Sequence, residues 1–142
     1  MTEEALSLRD RSGGVERDIV EVRLPAAGAY LSVLRTATAG LAARLDFTLD
    51  EIEDLRIAVD EACAMLLPQA IPGSELTCVF ELMPDRMHVA VSVPTTTARL
   101  PDRNTFAWTV LTALAGEVEA DMDKGEQLRI TLHKQRSHTG IA

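Results

Sequence analysis

Glu61 lies in the run VDEACAM, beside Asp60 and one helical turn before Met65. A carboxylate in that position can accept a proton from a hydroxyl, although a lone Glu on a helix is ordinarily a solvated surface group. Met65 offers only a thioether, too soft and too weak a ligand to hold a hard Mg ion. Asp60 is expected on the wet side of the same helix, four residues after Arg56, in an exposed ion pair worth ~0.3 kcal/mol. His88 and His133 fall on strand faces patterned as polar, where they could meet across the sheet, and are expected as surface side chains; two imidazoles without a third ligand make a poor metal site. Cys63 and Cys78, in apolar-patterned segments and without metal-ligand or redox spacing, read as reduced, buried thiols. No metal centre is expected. Phe106 and Trp108, in a short apolar helix, are expected in the core and not as an exposed docking patch.

The elements that must position these groups follow from hydrophobic periodicity. Val20, Val22 and Leu24 alternate with Glu21 and Arg23, the period of a strand with one wet face, which Pro25 ends. Leu31, Leu34, Thr38, Leu41 and Leu45 recur at helical spacing over a helix from about Ala27 to Leu45. In TLDEIEDLRIAVDEACAMLL, Thr48 stands three residues before Glu51 as a capping box, and Ile52, Leu55, Val59, Ala62 and Leu66 form one stripe. Two alternating runs, Leu76 to Leu82 and Met87 to Val93, are joined by the short MPDR link and predict a hairpin. Pro94 to Arg103 reads as a loop, after which Asn104 is expected to cap a third helix reaching Glu117. Leu128, Ile130 and Leu132 mark a last strand. The order strand, helix, helix, strand, strand, helix, strand predicts an α+β two-layer sandwich, a mostly antiparallel sheet with helices packed on one face. The expected organisation is a loose tail over 1–16, one domain over 17–134 and a short tail over 135–142.

With 142 residues, 46% of them hydrophobic, the chain has enough apolar side chains to close one core. A formal net charge of -8 opposes binding to nucleic acid or to anionic membrane, both of which need clustered Lys and Arg. The acidic start MTEEALSLRD lacks the basic and apolar regions of a signal peptide, and no long uncharged apolar run is present, so a cytoplasmic protein is expected.

Two stretches, LDFTLDEIEDLRIAVDEAC and FAWTVLTALAGEVE, resemble the anti-sigma factor family that includes RsbW, SpoIIAB and UsfX, within the GHKL histidine-kinase-like ATPase superfamily. The likeness covers residues 18 to 134, is strongest in the first stretch, and is closest to the UsfX-like branch. It implies the Bergerat (GHKL-like) ATPase fold and a homodimer. It further implies a stress-response regulator that sequesters an RNA polymerase sigma factor until an anti-anti-sigma factor of the STAS type displaces it. Active members phosphorylate that antagonist on serine or threonine using ATP and Mg, and this kinase activity is the alternative function.

On the family's pattern, Glu61 occupies the position of the carboxylate in Glu-x-x-x-Asn, but Met65 replaces the Mg-holding amide. The Asp-x-Gly-x-Gly element that holds adenine is replaced by Val93, Thr95 and Thr97. Asn104, Thr105 and Ala107 stand where a glycine-bearing phosphate cradle would open the third helix. The resemblance therefore implies a degenerate nucleotide site and no required cofactor. It places partner binding on the first helix, at Arg35 and Leu31, where a rigid guanidinium fork suits a partner carboxylate.

Overall fold

The computed structural model describes residues 17–97 and 99–137. They form five strands and three helices: β1 (Asp18–Pro25), α1 (Leu31–Arg44), α2 (Leu49–Leu66), β2 (Glu75–Met83), β3 (Arg86–Pro94), α3 (Phe106–Ala115), β4 (Glu117–Met122) and β5 (Gln127–Gln135). The strands make one antiparallel sheet in the order β1-β2-β3-β5-β4. The expected α+β sandwich is present, with one strand more than the periodicity indicated. The expected tail over 1–16 lies outside the described residues.

One face of the sheet is apolar and closed by helices. Cys78 and Phe80 on β2, Val89 and Val91 on β3, and Ile130 and Leu132 on β5 are fully buried. α2 packs over β3 and β5 and between α1 and α3, contributing Leu55, Ala58, Val59, Ala62, Cys63 and Leu66, all at 0% exposure. Each such side chain as large as Leu or Phe stabilises the fold by ~1.5–3 kcal/mol over its exposed state. α1 supplies a narrower stripe of Leu34, Thr38 and Ala42, and the buried Thr38 hydroxyl is satisfied by donating to the Leu34 carbonyl at 2.8 Å.

The corner between α1 and α2 is set by local chemistry. Asp46 takes a left-handed φ of 61°, letting its N–H reach the Ala43 carbonyl at 3.0 Å while the Phe47 N–H reaches Ala42 at 3.2 Å. This Schellman closure turns Phe47 into the core, where it is 5% exposed. The next residue, Thr48, opens α2 with the expected capping box: its hydroxyl accepts from Glu51 N–H at 3.1 Å, and Glu51 Oε1 accepts from Thr48 N–H at 2.8 Å. Glu51 Oε2 also accepts the Ser137 N–H at 2.7 Å, and Arg136 Nη1 donates to the α1 C-terminal carbonyl of Leu45 at 3.3 Å. β5 continues to Gln135, so structure persists past the boundary expected at 134.

Two expectations at the third helix need correction. Thr105, not Asn104, is the cap: its hydroxyl accepts from the Trp108 N–H at 3.2 Å, whereas the Asn104 N–H is held by Asp102 Oδ1 at 2.9 Å. The helix stops at Ala115 because Gly116, at φ 92°, takes a conformation that L side chains rarely adopt. Glu117 therefore begins β4, the edge strand, and is not helical.

The first prediction concerns this corner. Burial raises the Glu51 carboxyl, but hydrogen bonds from Thr48 and Ser137 outweigh it and hold the group below its ordinary 4.5. A lowered folded value contributes stability above the unfolded value and loses it as pH falls through the folded one. Thr48→Ala should cost ~1 kcal/mol in urea unfolding at pH 7. Glu51→Gln should remove part of the stability loss seen on acidification below pH 4.5.

Candidate functional site

Antiparallel packing of α1 against α2 brings Arg35 to Asp60. Arg35 Nη1 donates to Asp60 Oδ1 and Oδ2 at 3.1 and 3.2 Å. The pair is 37% and 35% exposed at its two side chains, so it lies at the surface of the helix layer and can still be reached by a partner. This corrects the expected pairing of Asp60 with Arg56, which instead donates to Glu53 at 2.9 Å. The preference has a geometric cause: the helix–helix groove fixes Asp60 beside a guanidinium held by a neighbouring element, whereas Arg56 has Glu53 one turn behind it. Leu31 is half-buried and packs on the core, while Tyr30 and Val33 are the exposed apolar side chains of this region at 45% and 49%. Arg35 thus lies at the surface one helical turn after Leu31, with one internal counter-charge. Asp60 was not singled out for this role from sequence; an ion pair spanning 25 residues leaves no periodic signal.

The residues matched to the nucleotide site lie on three elements that pack together: α2 (Glu61, Met65), the end of β3 and its exit (Val93, Thr95, Thr97) and the start of α3 (Ala107). Glu61 is half-exposed, and Met65 is half-buried against the core. Val93 is fully buried in the core, so its side chain presents neither charge nor hydrogen bond to a ligand. Thr95 is 2% exposed and its hydroxyl accepts from the Thr97 N–H at 3.2 Å, closing a small turn where flexible glycines would be required. Beyond it, Gln69 grips the loop through both amide atoms, donating to Arg99 O at 2.9 Å and accepting from Arg99 N at 3.2 Å. The set offers one carboxylate, no amide or second acid to hold Mg, and no glycine nest for phosphate. These side chains do not fit Mg and ATP as the complete family pattern does.

The remaining candidates divide. Trp108 is buried, with the Arg103 guanidinium 5.2 Å above its ring, but Phe106 is 82% exposed, contrary to the expectation that both would be core. It is the first residue of α3, where its side chain projects outside the packed stripe. His88 and His133 do meet across β3 and β5, with ring centroids 4.3 Å apart. Their outer nitrogens face Glu81 and Glu119 at 3.3 and 3.4 Å. Among the described residues no group of three or more His, Cys, Asp or Glu is placed to hold a metal. Cys63 and Cys78 are free and buried; burial, with Asp60 nearby, pushes Cys63 up to about 12, and burial raises Cys78 well above its ordinary value. Both thiols are therefore poor nucleophiles at neutral pH.

An anti-sigma-F factor RsbW of Mycobacterium tuberculosis is 32% identical over 143 aligned residues, spanning 96% of this chain and 84% of that protein. The chain belongs to the RsbW family. A serine-protein kinase RsbW of Bacillus cereus is 37% identical over 75 residues, 51% of this chain and 47% of that protein. Among solved structures, one of the RsbU and RsbW domains of a Mycobacterium tuberculosis protein superposes with a TM-score of 0.64 at 16% identity, covering 85% of this chain and 33% of that one. At that identity the likeness supports the fold alone. No family model matches the chain. Among the described residues no helix of this RsbW-family chain is long and apolar enough to cross a membrane.

The Arg35–Asp60 pair gives the second prediction. Its surface exposure limits its worth, so a double-mutant cycle with Arg35→Ala and Asp60→Ala should return a coupling of ~0.5 kcal/mol in urea unfolding. A coupling above ~2 kcal/mol would mean that the pair is chiefly structural and is not held in reserve for a partner.

Proposed function

We propose that this RsbW-family chain is a cytoplasmic anti-sigma factor that binds a sigma subunit on the surface around Arg35 and acts as a homodimer. An anti-anti-sigma protein of the STAS type relieves it. The observation that carries the reading is the match to an anti-sigma-F factor along 96% of the chain. The site supports it: Arg35 presents a forked donor set at the surface one helical turn after the half-buried Leu31, and a guanidinium of this kind is a frequent anchor in protein interfaces. Asp60 holds the guanidinium in place before binding, lowering the entropic cost of ordering it, and a partner carboxylate can share or replace Asp60. Two ligands competing for one surface exclude each other, so a rising concentration of the antagonist releases the sigma subunit by mass action.

Phosphorylation of the antagonist is the second reading, favoured by the likeness to serine-protein kinases and by Glu61 in the position of the family's base. Met65, Val93 and Thr95 weigh against it, because the metal and adenine contacts they replace supply most of the positioning in phosphoryl transfer. We therefore place binding first and treat nucleotide as dispensable.

Two measurements check this reading. In calorimetric titration with the sigma subunit, Arg35→Glu should weaken binding by ~10-fold or more while far-UV circular dichroism stays unchanged. Unchanged affinity removes Arg35 from the interface. Incubated with MgATP and the antagonist, the wild-type chain should transfer no phosphate, and Met65→Asn alone should not create transfer, since Val93 and Thr95 remain. Phosphate on a serine or threonine of the antagonist would reverse the order of the two readings.

A further inference from the structure

Phe106 is 82% exposed, yet the turn that presents it is held by several bonds. Gln69, just past the end of α2, grips the approach to α3 through both amide atoms, on Arg99 O and Arg99 N. Closer to the helix, Asp102 Oδ1 accepts the Asn104 N–H at 2.9 Å and the Thr105 hydroxyl donates to the Asp102 carbonyl at 3.0 Å. Arg103 is exposed and stacks over the Trp108 ring at 5.2 Å. A guanidinium held that way keeps its in-plane donors for a carboxylate. A single exposed apolar side chain is ordinary on a protein surface. Phe106 is not alone: Leu100 in the same segment is 53% exposed, and an aromatic ring near an arginine on ordered backbone is the composition of an interface anchor.

Strand register places this turn relative to Arg35. β3 ends where the Ile71 N–H, ahead of β2, meets the Pro94 carbonyl at 3.0 Å, and α3 sets out from that end of the sheet. It finishes at the other end, since Glu117 pairs with His133 and His133 with His88 near the start of β3. α1 finishes at that other end too, where Arg136 donates to both Leu45 O and Asp85 O. α1 and α3 therefore run the same way on either side of α2, and Arg35 near the start of one is level with Phe106 at the start of the other. Packed helices lie ~8–10 Å apart, so two such spacings set the axes of α1 and α3 ~16–20 Å apart. A standard footprint of ~800 Å² on one partner is ~30 Å across and spans both. Between them α2 exposes Ala64, one turn after Asp60, a short side chain over which a partner can lie.

We propose that Phe106 is the second anchor of the partner surface: a sigma subunit engaged at Arg35 reaches across the C-terminal half of α2, covers Phe106 with an apolar side chain and sets a carboxylate against Arg103. The proposal rests on the sigma-binding reading above and adds to it the extent of the footprint and the chemistry of the partner, acidic at two points with an apolar group beside the second. Charge supports that partner, because Arg35 and Arg103 bring two exposed cations to one end of the helix layer on a chain of net charge -8.

Calorimetric titration of the full chain with the sigma subunit tests this, with Phe106→Ser, Phe106→Tyr and Arg35→Glu compared with wild type and circular dichroism confirming that each is folded. Phe106→Ser should weaken binding by ~10-fold or more, and Phe106→Tyr, which keeps the ring, should stay within ~3-fold of wild type. Unchanged affinity of Phe106→Ser beside a loss in Arg35→Glu would overturn the wider footprint and leave the Arg35 reading standing. If Phe106→Ser weakened binding of the antagonist and not of the sigma subunit, the turn would belong to the other partner and the proposal would fail. A wild-type chain that binds no sigma subunit would remove the reading on which the proposal rests, and tight wild-type binding unaffected by either Phe106→Ser or Arg35→Glu would place the whole interface elsewhere.

Discussion

Everything in this molecule is referred to the seating of α2 on the apolar face of the sheet. Six of its side chains, from Leu55 to Leu66, are fully buried, and it meets α1, α3, β3 and β5. That contact fixes which α2 residues face outward. Glu61 and Asp60 remain at the margins of the buried stripe, Asp60 against α1 and Glu61 on the side where Met65 also emerges. The capping box at Thr48 and the Schellman closure at Asp46 set the register at which α1 returns beside it, and that register places Arg35 on Asp60. The end of the chain reinforces the same corner. Arg136 caps the carbonyl end of α1, and Lys134 donates to Leu114 O near the end of α3 at 2.7 Å, so cations sit at the negative ends of two helices.

Much of this fold was legible where burial is one-sided and strong. Leu76, Cys78, Phe80 and Leu82, and then Met87, Val89, Val91 and Val93, alternate because one sheet face is core, and every one of them is buried. β4 escaped notice for the opposite reason: in EVEADM only Val118 is buried, since an edge strand beyond the helices has little apolar face to show. Its first residue, Glu117, follows α3 after Gly116 alone, and the positive φ of that glycine separates the two elements. Within the candidate site, the substitutions at Met65, Val93, Thr95 and Thr97 were readable as residue types. The Arg35–Asp60 pair was not, because which residues meet across two packed helices depends on the corner between them. The exposure of Phe106 and the burial of Trp108 depend likewise on where α3 starts, one residue later than Asn104 as cap would have it.

The positions matched to the family's nucleotide site are taken up by packing, and the surface proposed for a partner lies elsewhere on the helix layer. Val93 in the core, the Thr95 turn and the Gln69 grip on Arg99 stabilise the region where a mobile, glycine-rich segment would otherwise have to accommodate a ligand. On the proposed reading, function rests on recognition, with the Arg35 guanidinium set at the surface of the helix layer. Regulation by binding alone needs no more than two partners with overlapping footprints.

The most direct test of that claim is to purify the tagged chain gently from its own cells and identify by mass spectrometry what accompanies it in near-stoichiometric amount. The account predicts a sigma subunit, retained when MgATP is omitted throughout. Recovery of bound nucleotide with no protein partner would contradict it.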